Sequence, residues 1–167
     1  MRNILLLLLL SLTMITKAQD STYVKLDTSS INIDNALTVI VLDNFVRDAC
    51  KYGLDSNRVV NHITDLDAIY ISDSLSDKLG VTIYVTDSLS PIEIRGIIFI
   101  NSDLLTDYSI YQITLYHELG HWFGLDHKNG IMSKNSKNIY KILNKWDKNV
   151  ERLMKKIKKL NYSYPIH

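Results

Sequence analysis

Three of the chain's five histidines fall in one string, HELGHWFGLDH, which runs from His117 to His127. His117 and His121 are four apart, so on a helix they stand one turn above each other on the same face and can share a metal ion. Gly124 can take a positive φ and turn the chain back, which lets His127 return to that ion as a third ligand. Three imidazoles leave one position of a tetrahedral zinc ion open, and a water held there has its pKa lowered to about 7. Glu118, beside the first ligand, is spaced to take the proton of that water as general base. The alternative is a closed structural zinc site, or histidines hydrogen-bonded within a core. That alternative requires accident to have set three histidines, a glutamate and a glycine at these spacings.

HELGH alone is a short pattern, but Gly124 and His127 extend it to H-E-x-x-H-x-x-G-x-x-H, and Met132 follows in GIMS. In these residues the chain resembles the metzincin clan of zinc metallopeptidases, and within it the small secreted bacterial matrixin-like peptidases. The resemblance covers about residues 109–133. It implies zinc ligands at His117, His121 and His127, a general base at Glu118, and a turn beneath the metal at Met132. It also implies an α+β fold of zincin type: a small mixed, twisted sheet backed by helices, with a central metal-binding helix and a C-terminal helix. By the same resemblance the polar segment 133–138 walls the pocket for the substrate side chain just past the cleaved bond. Astacin- and serralysin-type members add a tyrosine shortly after the methionine. Here Ser133 and Lys134 follow and Tyr140 lies further on, so no tyrosine contribution to oxyanion stabilisation is expected.

The elements that must position these residues are legible as patterns. Leu37, Ile40, Val41, Phe45, Ala49 and Tyr52 have helical spacing, with Asp34 or Asn35 as cap and Gly53 as stop. LDAIYIS (66–72), GVTIYVTD (80–87) and RGIIFIN (95–101) are β-branched and aromatic runs bounded by Asp, Ser, Gly or Asn, as strands are. Tyr23 to Leu26 is the candidate for an earlier strand. Ser109 and Gln112 form a capping box for the metal helix, and its apolar residues on more than one side predict burial, with Trp122 and Phe123 packed in the core. From Ile139 to Leu160 apolar residues recur every three or four positions, which predicts one helix of about 22 residues with a lysine-rich outer face. Either 81–86 or 96–101, if exposed, could hold an extended substrate by β-augmentation.

The chain has 167 residues, 46% of them apolar and 22% charged, which suits one globular domain. Arg2 precedes a run from Ile4 to Ile15 that is nearly all leucine, isoleucine and methionine, and Ala18 ends the stretch with a small residue. This predicts a signal peptide over 1–18, cleaved after Ala18, and a single catalytic domain over 19–167. The run is shorter than the roughly 20 residues a spanning helix needs. Cys50, the sole cysteine, permits no intramolecular disulfide and is expected to be a small packed residue rather than a thiol that blocks the metal.

Formal charge is +1, yet residues 19–127 carry six Lys and Arg against 16 Asp and Glu, while 128–167 carry eleven against two. Two parts of one domain that attract each other is the favoured reading, ahead of a basic tail for a membrane or nucleic acid. No phosphate-binding glycine loop or aromatic-studded basic strand is present, so nucleic acid is not an expected partner. Membrane association is not expected either, because the C-terminal apolar stripe is read as packing on the domain. These readings converge on a secreted, monomeric, zinc-dependent endopeptidase acting on a peptide or protein substrate. The alternatives are a secreted binding protein that keeps the zinc fold without turnover, and a hydrolase of a cell-wall peptide amide.

Overall fold

A computed structural model describes residues 23–87, 90–134 and 138–160, with the backbone alone for 86, 87 and 90–94. The expected signal peptide and its cleavage point lie outside these residues. Among the described residues the chain forms an α+β domain of five α-helices and a four-stranded mixed sheet. The order along the chain is β1 (Asn32–Ile33), α1 (Ala36–Lys51), α2 (Ser56–Thr64), β2 (Leu66–Ser72), β3 (Gly80–Asp87), β4 (Ser90–Asn101), α3 (Tyr108–Trp122), α4 (Ile139–Leu143) and α5 (Trp146–Lys159). Short 3-10 turns occupy Ser102–Thr106 and Gly130–Met132.

The sheet runs β1-β2-β4-β3, with β1 and β4 parallel to β2, and β3 antiparallel to β4. β4 therefore has a neighbour on both sides, and 96–101 has no free edge to offer a substrate. Of the two strands expected to do so, β3 (80–87) alone lies at an edge. Ile98 pairs with Ile69 on one side and with Thr82 on the other. Ile69, Ile98 and Ile100 are fully buried and meet Val41, Leu42 and Phe45 of α1 and Leu115 of α3 in one core. Cys50 is buried in the same core, as a packed residue.

Local chemistry sets the helix ends. Asn35 caps α1, its Oδ1 accepting from Leu37 N at 2.7 Å, and Gly53 at φ +77° turns the chain away beyond it. The expected strand over Tyr23–Leu26 does not form: Leu26 is buried by packing, and the first ladder pairs are Asn32 with Ala68 and Ile33 with Ile69. Helix α2 is an element that the sequence patterns did not predict, although Asp55 caps it by accepting from Asn57 N and Arg58 N at 2.9 and 3.2 Å.

The expected 22-residue C-terminal helix is two helices that break at Asn144–Lys145. The Ile142 carbonyl takes a tight i+3 bond from Lys145 N (3.1 Å) and a second from Asn149 Nδ2 (3.1 Å). With that acceptor filled from two sides, the i+4 ladder is not carried through the joint. The apolar repeat is kept across it: Ile142, Val150, Leu153, Met154 and Ile157 are all buried. No described helix is long and apolar enough to cross a membrane.

Candidate metal centre

Helix α3 carries His117, Glu118 and His121 towards its C-terminal end. Its cap is Asp107, whose Oδ1 accepts from Ser109 N (2.9 Å) and Ile110 N (3.2 Å). The expected capping box at Ser109 and Gln112 is displaced by two residues, since a carboxylate facing the positive end of the helix dipole is a strong cap. Tyr111, Ile113, Leu115, Tyr116, Leu119 and Trp122 are all buried, so the helix is packed on more than one side, with His117 and His121 half-buried on the side that opens to solvent. Trp122 and Phe123 are core residues: Phe123 stacks on Phe45, and the Trp122 indole N–H donates to the His62 carbonyl at 2.6 Å.

The helix ends in a Schellman turn. Gly124 N donates to His121 O (2.7 Å), Leu125 N donates to Gly120 O (2.9 Å), and Gly124 sits at φ +83°, where only glycine is unstrained. This reversal returns His127 to the helix. The Nε2 atoms of His117 and His127 lie 3.1 and 3.2 Å from Nε2 of His121. Ligand atoms bound tetrahedrally to zinc at about 2.05 Å stand about 3.3 Å apart, so the three imidazoles fit one small ion. All three ligand atoms lie within 4.8 Å of one another.

The orientation of two rings is fixed from the other side. Nδ1 of His117 donates to the Ile131 carbonyl and Nδ1 of His121 to the Leu125 carbonyl, each at 2.7 Å. A carbonyl can only accept, so Nδ1 carries the proton in both rings and each neutral imidazole turns the Nε2 lone pair inward. Burial lowers the His117 pKa to about 4 against the raising effect of the Ile131 bond, with His121 and His127 lowering it further. Burial also lowers that of His121. Both rings are therefore held in the deprotonated form that binds metal. His127 is the exposed member of the three.

Met132 is buried in the turn where the sequence pattern puts it. A Cβ added at Gly120 would collide with Met132 Sδ, so the sulfur rests on bare helix backbone one residue before His121. Glu118 is 4% exposed and accepts from the Thr82 hydroxyl through Oε2 at 2.7 Å. Burial pushes its carboxyl up to about 7, opposed by the hydrogen bonding of Thr82.

These groups open on a cleft of about 720 Å³, lined by Gly80, Thr82 and Tyr84 of β3 on one side and by Ser133, Lys134 and Ile142 on the other. Tyr140 is exposed and does not line it. No motif in the sequence singles out Thr82 or Tyr84. The Tyr84 hydroxyl donates to the His121 carbonyl, and burial, with Glu118 and Asp126 adding to it, pushes its pKa up to about 12. The alternation in GVTIYVTD puts Gly80, Thr82 and Tyr84 on one face of a strand, but no pattern in the chain says that this face meets α3.

The site is thus a three-histidine cradle with a buried carboxylate beside it, set in an α+β domain at the edge of the sheet. Comparison with family models, curated proteins and solved structures gives no match for the chain. The functional reading rests on the chain's own residues.

Proposed function

We propose that the chain is a zinc-dependent endopeptidase of metzincin type, secreted after loss of the N-terminal apolar segment. The observation that carries the reading is the convergence of three Nε2 atoms, two of them with protonated Nδ1 atoms tied to carbonyls, beside a buried glutamate in an open cleft. Zinc bound there supplies Lewis acidity, acidifying a coordinated water and polarising a substrate carbonyl. The chain's residues do the rest. His117, His121 and His127 would hold the ion through their Nε2 atoms. Glu118 takes a proton from the attacking water and passes it to the departing amine. Among the described residues β3 ends the sheet, and its outer edge offers backbone N–H and C=O groups to an extended peptide laid along the cleft.

The test separates zinc binding from turnover. Purified wild-type chain is expected to bind one zinc and to cleave members of a broad peptide library. Glu118→Gln keeps the zinc and the fold, because glutamine has the same shape and the carboxylate is not a ligand, while cleavage falls by about 10²- to 10⁴-fold. Zinc binding by the wild type with no cleavage across the library would mean a binding protein that has kept the zinc fold. Cleavage that survives in Glu118→Gln would remove Glu118 as the base.

A further inference from the structure

β3 does more than border the cleft. Its alternate residues Gly80, Thr82 and Tyr84 meet α3, while Ile83 and Val85, on either side of Tyr84, are exposed. Two of the three inward residues bear on Glu118. The Thr82 hydroxyl lies 2.7 Å from Oε2 and 3.1 Å from the backbone carbonyl of the same residue. A Cβ placed on Gly80 would stand 2.9 Å from both Cγ and Oε1 of Glu118, so this glycine leaves the room the carboxylate occupies.

We propose that Thr82 is a positioning residue for Glu118, tethering Oε2 to the edge strand and leaving Oε1 to move the proton. This rests on the hydrolase reading above. The hydroxyl has one hydrogen and two acceptors within reach, both on Glu118. The contact with Oε2 is the shorter of the two, and the contact with the carbonyl holds the backbone of the same residue to the strand. One side chain thereby fixes the carboxylate rotamer. The same strand carries the free edge along which a peptide would lie, so base and substrate are referenced to one rigid element.

The experiment uses the zinc-loaded chain and the variants Thr82→Val and Thr82→Ser. An orienting hydrogen bond of this kind is worth about 10- to 100-fold in activity. Thr82→Val is expected to lose that much in kcat with KM and zinc stoichiometry unchanged, and Thr82→Ser, which restores the hydroxyl, to recover most of it. A second readout needs no turnover: the carboxyl ¹³C resonance of Glu118, in metal-free protein at fixed pH, moves in Thr82→Val and returns in Thr82→Ser. If Thr82→Val does not fold, Thr82→Ala is read in the same way. Full kcat in Thr82→Val, or equal losses in the valine and serine variants, overturns the proposal. An inactive wild type overturns the hydrolase reading instead, and then an unmoved Glu118 resonance overturns the tether independently.

Discussion

Helices α3 and α5 are nearly the same length, 15 and 14 residues, and the domain uses them in opposite ways. α3 is packed round most of its circumference and meets solvent at Tyr108 and along the cleft, where His117 and His121 are half-buried. α5 buries one stripe, Val150, Leu153, Met154 and Ile157, and turns Lys148, Arg152, Lys155 and Lys159 outward. The expected attraction between an acidic body and a basic C-terminal part is barely expressed in contacts. Lys155 pairs with Glu151 of its own helix. Across the seam, the ion pair found among the described residues is Lys51–Asp147 at 4.0 Å, with the cation on the acidic part and the acid on the basic one. Apolar burial, rather than charge, attaches α5. α3 is held on several sides and left open where the cleft lies, whereas a helix that covers needs one good face.

The contrast is broken hardest at Trp122. Trp122→Ala removes a fully buried indole and its hydrogen bond to the His62 carbonyl, and should cost about 3–5 kcal/mol in urea unfolding. A loss of under about 1 kcal/mol would mean that enclosure of α3 is not what holds it.

A smaller effect lies in the ring that packs under the same indole. His62 stacks on Trp122 and meets the Phe123 ring at a tilt, and its Nε2 donates to the Trp122 carbonyl at 3.1 Å. Burial depresses its pKa from the ordinary 6.5, against the raising effects of the Trp122 bond and of Asp65. The unfolded chain therefore takes up this proton first as pH falls. The contribution of His62 to stability is complete above pH 6.5 and is lost as pH drops from there towards the lower folded value. Unfolding free energies of metal-free wild type and His62→Gln, measured from pH 8 to pH 5, should show a steeper acid decline in the wild type. Parallel curves would contradict a depressed pKa.

The smallest effect is expected on the outer face of α5. Replacing Lys148, Arg152 and Lys159 with glutamine should change stability by no more than about 0.5 kcal/mol per site, in low or high salt. A salt-sensitive loss larger than this would restore electrostatic docking as the attachment.

Much of this contrast is legible in the amino-acid sequence. The apolar repeat of the C-terminal part survives the break at Asn144–Lys145, because periodicity records which face is buried and not whether the backbone is continuous. The break depends on Asn149 reaching back seven residues to Ile142, a contact that no short window contains. The His117, His121 and His127 constellation is legible because it lies within one helix and the turn after it. Thr82, 36 residues before Glu118, is not, since strand order must be known before its face can be assigned. Helix α2 is a different case. Asp55 followed by Val59 and Ile63 is a readable cap and apolar spacing, but nine residues give a weak signal between stronger neighbours.

The carbonyls that orient His117 and His121 belong to Ile131 and Leu125, both outside the helix that carries the rings. An excised peptide spanning α3 would have the histidines without those acceptors, and each ring would be free to present either nitrogen. On the zinc-binding reading proposed above, selectivity for one coordination geometry would therefore require the segment after Gly124 to be in place, and ion uptake should follow collapse of the domain rather than nucleate it.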